Sequence, residues 1–181
     1  MKKLYAVLFA TIVGVSVTAF GFSAVAGDGD GDEFKAKLTG FQEVPAISTT
    51  GRGRFVAELS EDGMSLTYEL TYSGLQSAVR QAHIHLGQKG VNGGVSVFLC
   101  ETVDASDSFA EGDARDAPTC PQSGTVTGTI FAAKVIGPAG QGIAPGEFGE
   151  LIVALRAGVT YANVHSSVFG GGEIRGQIKD D

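Results

Sequence analysis

The stretch Ala82-His83-Ile84-His85, followed by Gly93-Gly94-Val95-Ser96-Val97, decides the fold because a similar stretch recurs near the end of the chain. The second copy is Ala162-Asn163-Val164-His165, followed by Gly171-Gly172-Glu173-Ile174-Arg175. Each copy has the pattern of a strand, a glycine-containing turn and a second strand. We therefore expect two related hairpins that lie side by side, with the last histidine of each copy in equivalent positions, so that His85 and His165 face each other.

The two copies hold all three histidines of the chain, His83, His85 and His165. Side chains two apart on a strand point to the same face, so the first two can converge on one point, and His165 joins them if the hairpins pair. Three imidazoles suit copper(II) or zinc, and a fourth ligand would be Glu173, Asn163 or water. The alternative is a structural role, in which the ring N–H groups bond backbone carbonyls.

Residues 1–26 have the layout of a secretory signal peptide. Lys2 and Lys3 precede a run of apolar and small residues without charge, and Ala24 and Ala26 lie at the positions that a signal peptidase recognises. An uncleaved anchor helix is the alternative, because the apolar run is long. We expect a secreted or periplasmic protein with no membrane span after cleavage.

Charge and composition restrict the partners and the domain organisation. The formal net charge is −7, and it is more negative without the two N-terminal lysines, which argues against nucleic acids and anionic lipid surfaces as partners. An extracytoplasmic protein or a small ligand is the expected partner. Residues 27–33 are acidic and glycine-rich and predict a flexible linker, and residues 34–181 are long enough for one domain with a core.

The chain has two cysteines, Cys100 and Cys120. In an oxidising compartment an even pair predicts a disulfide, whereas two buried free thiols are the alternative. The bond would close a loop around a polar, acidic stretch and would stabilise the fold by about 3 kcal/mol. Neither cysteine would then be free to act as a nucleophile or a thiolate ligand.

Alternation of apolar and polar residues predicts seven or eight short strands. They are expected at 34–41, 54–59, 66–72, 79–86, 95–100, 124–132, 160–165 and 173–179. One helix is expected near 147–157, where Phe148, Leu151, Ile152 and Leu155 recur at helical spacing. Short strands separated by turn signals indicate an all-β, antiparallel, Greek-key-like sandwich or barrel with one short helix.

Several motifs occur in an order typical of one family. Gln42-Glu43-Val44-Pro45 ends the first strand, Ala82-His83-Ile84-His85 lies in the middle, and Asn163-Val164-His165 and Gly171-Gly172-Glu173-Ile174-Arg175 close the chain. Together they resemble the CHRD domain, the chordin-type module of secreted proteins, here a bacterial member. The resemblance covers residues 34–179. It implies an all-β extracellular domain that acts as a binding or interaction module of unassigned biochemical role.

A weaker resemblance concerns the His-x-His strand and its glycine loop, which are similar to the copper strand of copper,zinc superoxide dismutase. It implies a metal-dependent redox enzyme as the alternative function, with His83 and His85 as copper ligands and Arg175 as the arginine that steers the anion. That enzyme uses six histidines and an aspartate for its two metals, whereas this chain has three histidines. The number of histidines therefore favours a non-catalytic module.

Glu173 and Arg175 are two residues apart on a predicted strand, so their side chains share a face. They are expected to form an ion pair, either with each other or with a residue of a neighbouring strand.

Overall fold

The structure, a computed structural model, describes residues 32–102 and 116–181. The predicted signal peptide at 1–26, the linker residues 27–31 and most of the acidic stretch between the cysteines, 103–115, lie outside these ranges. Within them the strands are β1 Glu33–Thr39, β2 Arg52–Leu59, β3 Leu66–Ser73, β4 Val79–Leu86, β5 Gly94–Glu101, β6 Gly124–Ile130, β7 Thr160–Ser166, β8 Ile174–Gln177 and β9 Lys179–Asp180. The helix α1 is Phe148–Arg156.

The strands form one antiparallel sheet in the order β5-β4-β7-β8-β1-β2-β3-β6, and β9 pairs with β1. The two end strands, β5 and β6, approach each other, so the sheet nearly closes into a barrel. The crossovers that place β4 beside β7 and β1 beside β8 give the connectivity a Greek-key character. The predicted all-β antiparallel fold with one short helix is confirmed.

The interior of the barrel is filled by the apolar side chains that alternate along the strands. Phe34, Ala36 and Leu38 of β1 are buried, whereas the lysines between them lie on the outer face. In α1 the buried side chains are Phe148, Leu151, Ile152, Ala154 and Leu155, which is the apolar face predicted from the helical spacing. Burial of such side chains stabilises the fold by about 1.5–3 kcal/mol each.

Strand β7 is buried on both faces, and this position determines where the polar cluster lies. Its inward residues Ala162 and Val164 are in the core, together with Ala82 and Ile84 of the neighbouring β4. The residues between them face outward, yet all seven residues of β7 are buried, because loops cover the outer face there. The outer face of the β4–β7 pair is therefore a polar layer enclosed within the protein.

The predicted disulfide is confirmed: Cys100, near the end of β5, is bonded to Cys120, which lies just before β6. The bond therefore links the end of β5 to the residues just before β6, the two end strands of the nearly closed sheet. No helix in the described ranges is long and apolar enough to cross a membrane.

Several predicted element boundaries are wrong: the second strand begins at Arg52 and not at residue 54, and the sixth ends at Ile130 and not at residue 132. The first strand was expected to reach Phe41, but it ends at Thr39 and a 3₁₀ turn follows. In this turn a Cβ atom at Gly40 would lie 2.3 Å from the Ile47 carbonyl oxygen, so the backbone approaches too closely for any residue but glycine. The last strand was expected to be continuous, but it divides into β8 and β9 around Ile178, whose N–H bonds the Thr160 carbonyl of β7.

Candidate metal centre

The three histidines lie together on the enclosed outer face of the β4–β7 pair. In the antiparallel register, His83 is opposite Asn163 and His85 is opposite Tyr161, while Gln81 is opposite His165. The two hairpins that share the sequence pattern are therefore direct neighbours, as predicted from their similarity. This pairing joins histidines that are about 80 residues apart in the chain.

The available ring nitrogens of the three histidines lie within 4.8 Å of one another. Each can thus be no more than about 2.8 Å from a common point, against a Zn–N bond of about 2.0–2.1 Å. The shortest contact is a 3.1 Å hydrogen bond between His83 Nδ1 and His165 Nε2. Two imidazole nitrogens on one tetrahedral metal are about 3.3 Å apart, so a metal that displaced the shared proton would find this pair at the spacing of two ligands.

His83 is the central member of the cluster. Its ring centroid is 4.8 Å from that of His165 and 5.3 Å from that of His85. The centroids of His85 and His165 are 6.1 Å apart. We expected these two to face each other directly, and this expectation is wrong because the register places them four residues out of alignment across the strand pair.

Backbone carbonyls determine the tautomers of two of the rings. His85 Nδ1 donates to the Gly93 carbonyl at 3.0 Å, and His165 Nδ1 donates to the Gly170 carbonyl at 2.9 Å. The proton is therefore on Nδ1 in both rings, and the lone pair is on Nε2. Both glycines lie in the loops that cover the cluster. The structural role predicted for the histidines thus occupies Nδ1 of both rings. Within the described ranges the Nε2 of His85 has no partner, whereas the Nε2 of His165 accepts the Nδ1–H of His83, a proton that a metal would have to displace.

Burial keeps the cluster neutral. The exposed fractions of His83, His85 and His165 are 2%, 8% and 7%. Burial lowers the pKa of His83 to about 2 and that of His85 to about 4, and it also lowers the pKa of His165. Repulsion between the rings adds to the effect. Within the described ranges, the Nε2 atoms of His83 and His85 have no hydrogen-bond partner in the protein, although they are buried.

An aromatic ring and an arginine hold His85 in place. The Tyr161 ring stacks on the His85 ring, with centroids 4.7 Å apart and an angle of 2° between the planes. The Arg175 guanidinium lies over the Tyr161 ring at 4.2 Å. The Tyr161 hydroxyl accepts the N–H of Gly93, the residue whose carbonyl bonds His85. Gly93 belongs to the first copy and Tyr161 directly precedes the second, but the sequence did not indicate that either would contact His85.

A buried ion pair lies next to this stack. Arg175 Nε donates to Glu43 Oε2 at 2.8 Å, and Asn163 Nδ2 donates to the other oxygen, Oε1, at 2.7 Å. Arg175 also donates to the Val91 carbonyl and to the Asn92 side chain. Burial raises the pKa of Glu43, while Arg175 opposes this shift. The pair connects the first loop of the barrel to β7 and β8.

The sequence pattern of the CHRD domain matches residues 34–178, from the first strand to the residue between β8 and β9. The chain belongs to the CHRD domain family. No curated protein and no solved structure matches the chain. The CHRD match contains the histidine cluster, the Arg175–Glu43 pair and both halves of the repeated pattern.

Within this CHRD domain, Glu173 lies outside the histidine group. Its side chain is fully buried, and its carboxylate accepts hydrogen bonds from the Thr49 hydroxyl at 2.7 Å, the Gln76 N–H at 2.8 Å and the Ser166 hydroxyl at 2.6 Å. Its oxygens are thus used by three other donors. Glu173 is a structural carboxylate in this arrangement, which leaves Asn163 and water of the three alternatives for the fourth ligand.

The ion pair of Arg175 differs from both expectations. Arg175 bonds Glu43, which lies in the loop after β1, and so it pairs neither with Glu173 nor with a residue of a neighbouring strand. The exposed fraction of Arg175 is 5%, and its guanidinium is bonded to three residues. The resemblance to superoxide dismutase implied that Arg175 steers an anion from solvent. Its burial and its three partners make it poorly placed for that role.

Asn163 remains beside the histidines. Its Nδ2 bonds Glu43, and within the described ranges its buried Oδ1 has no hydrogen-bond partner in the protein. Gly172 makes this close approach possible, because its φ is +124° and a Cβ atom there would lie 2.4 Å from Asn163 Nδ2 and 2.7 Å from Glu43 Oε1. Gly172 thus has a packing reason that the sequence alone did not show, whereas a Cβ atom at Gly171 would meet nothing within 4 Å.

Proposed function

We propose that this CHRD domain binds one copper or zinc ion through His83, His85 and His165. The observation that supports the proposal is the convergence of three buried neutral imidazoles, with available nitrogens within 4.8 Å of one another. Leaving a buried polar atom without a partner costs about 1–3 kcal/mol, and a bound metal would remove that cost at the Nε2 atom of His85. Neutral nitrogen donors are the ligands that copper and zinc share.

The fourth ligand of such a site would be the Asn163 side-chain oxygen or a water molecule. Asn163 is opposite His83 in the strand register, and its Oδ1 is buried without a protein partner in the described ranges. No carboxylate belongs to the histidine group in the part of the chain that the structure describes. The site would therefore add the full charge of its metal to the protein.

The proposed role is binding in an extracytoplasmic compartment. The Cys100–Cys120 bond is consistent with an oxidising environment, and residues 1–26 would be removed as a signal peptide to leave the linker and the domain at 34–181. The loops that cover the histidines leave them at most 8% exposed, which favours a tightly held ion over an open catalytic centre. An extracytoplasmic protein or a small ligand would be its partner.

Metal analysis tests this proposal. The full chain would be exported to a periplasm, purified without a histidine tag or chelator, and its copper and zinc content measured by mass spectrometry. The demetallated protein would then be titrated with Cu(II) and Zn(II) by calorimetry. One ion per chain is expected, and the double variant His83→Ala/His85→Ala should bind none at the same concentrations.

The matched control for this titration is Glu173→Gln, which changes a buried polar residue outside the histidine group. It should retain one ion per chain. Absence of stoichiometric binding in the parent, or unchanged binding in the double histidine variant, would contradict the proposal.

A further inference from the structure

A cleft on the outer face of β1, β2 and β9 gathers much of the positive charge of this acidic protein. Its volume is about 600 Å³, and its lining includes Lys35, Lys37, Arg54, Lys89 and Lys179. The whole chain has 13 lysines and arginines against 20 aspartates and glutamates. Five of those 13 cations therefore face one cleft, and none of the five is a member of the histidine cluster.

The strand register places these charges directly opposite one another. Lys37 of β1 is the cross-strand partner of Arg54 of β2, and Lys35 of β1 is the partner of Lys179 of β9. Like charges that are directly opposite destabilise a sheet. Two such pairs lie side by side, so the cations of this region repel one another across the strands.

Among the described residues, carboxylates neutralise one of these cations. Lys35 forms ion pairs with Glu33 and with Asp181, and Asp181 also lines the cleft. For Lys37, Arg54, Lys89 and Lys179, no ion pair occurs among the described residues. Four positive charges thus remain available to a ligand.

We propose that this cleft binds a compact polyanion, a small molecule that carries several phosphate or carboxylate groups. The volume lies within the range of small-molecule sites, about 300–1,000 Å³. The cations would supply charge-assisted hydrogen bonds to several oxyanion groups at once, and the ligand would relieve the repulsion between Lys37 and Arg54. The proposal is independent of metal binding, because it uses different residues.

The charge of the rest of the protein selects for a compact ligand. The formal net charge of the chain is −7 although this cleft is positive. A long polyanion or an anionic membrane would extend beyond the cleft onto the acidic remainder, and at physiological salt charges interact over about 8 Å. A ligand of the size of the cleft avoids that repulsion.

Inorganic tripolyphosphate is a suitable probe. The full chain would be titrated by calorimetry at 0.15 M salt, and we expect saturable binding of one ion per chain. The variant Lys37→Gln/Arg54→Gln should bind at least tenfold more weakly. The matched control is Arg52→Gln, an exposed arginine on the same strand but outside the lining, which should change the affinity less than twofold.

The thermal unfolding of the same variants without ligand supplies a second readout. Because Lys37 and Arg54 repel each other, the double variant should have a Tm equal to or above that of the parent, although its binding is weakened. A lower Tm would overturn the argument from repulsion.

Three other outcomes would also overturn the proposal. They are absence of saturable binding by the parent, an equal loss of affinity in Arg52→Gln, and tighter binding of phosphatidylserine vesicles or duplex DNA than of tripolyphosphate.

Discussion

His83 Nδ1 lies 3.1 Å from His165 Nε2, across the line where β4 and β7 pair. The contact joins the two repeated hairpins, which are distant in the chain. A metal held by both histidines would therefore bind the folded protein and not the unfolded one. This linkage makes the stability of the domain a measure of metal binding.

Metal addition should stabilise the parent domain and not a variant that lacks His165. At a free metal concentration of 100 times Kd, the free energy of unfolding should rise by about 2.7 kcal/mol. His165→Ala removes one ligand and should abolish this increase at the same metal concentration. Thermal unfolding with and without Zn(II) measures the effect, and an equal rise of Tm in both proteins would place the metal elsewhere.

Replacement of Arg175 by lysine should destabilise the domain although it preserves the charge. Lysine lacks the planar fork that bonds Glu43 and its neighbours, so the buried carboxylate loses its partner. The expected loss is about 3–5 kcal/mol in the free energy of unfolding, measured by urea denaturation.

The control for this change is Arg156→Lys, at an arginine whose side chain is half exposed and paired with Asp32. Such a surface pair contributes at most about 1 kcal/mol, and the variant should remain close to the parent. If the two substitutions lowered the free energy of unfolding equally, the buried Arg175–Glu43 pair would contribute no more to stability than a surface pair.

Glu173→Gln should weaken the fold while metal binding is retained. The carboxylate accepts three hydrogen bonds from donors on two loops and β7, and an amide cannot accept all three without placing its NH₂ group against a donor. A loss of about 1–3 kcal/mol is expected in urea denaturation. If the variant were as stable as the parent but bound no metal, the result would show that Glu173 is a metal ligand and would contradict its structural role.

The metal-free domain should become less stable as the pH falls below about 6.5. The pKa of each histidine is lower in the folded protein than in the unfolded chain, so the unfolded chain binds more protons in this range. The contribution of the neutral histidines to the free energy of unfolding is fully present above pH 6.5. Below that pH, the free energy of unfolding falls by at most about 1.4 kcal/mol per pH unit for each histidine. For His85 the loss should end near pH 4.

Thermal unfolding between pH 7.5 and 5 in the presence of a chelator measures this dependence. Glu43 acts in the opposite sense, because burial raises its pKa in the folded protein. The comparison is therefore made with His85→Gln, whose slope should be smaller than that of the parent. A Tm that does not change over this range in the parent would contradict the neutral, buried state of the cluster.

The strands and the helix could be predicted from the sequence because their signals are local. Phe34, Ala36 and Leu38 alternate with lysines, and Phe148 to Leu155 recur at helical spacing, so one face of each element is visible in the sequence. The pairing of the hairpins was also predictable, since the similar pattern of the two copies indicated an equivalent place in the fold.

The partners of the polar residues could not be predicted, because they depend on loops that cover the sheet. Glu43 reaches Arg175 from a loop 132 residues earlier, and Gly93 and Gly170 offer their carbonyls from two different turns. Glu173 was misjudged for the same reason: the strand pattern shows its spacing from Arg175 but not the three donors around it.

The coordination of the bound metal tests the central claim most directly. X-ray absorption of the domain loaded with one Zn(II) or Cu(II) should show three imidazole nitrogens at about 2.0–2.1 Å, and His165→Ala should show two or no bound metal. A first coordination sphere without imidazole, or one that is the same in His165→Ala, would contradict a shared site at His83, His85 and His165.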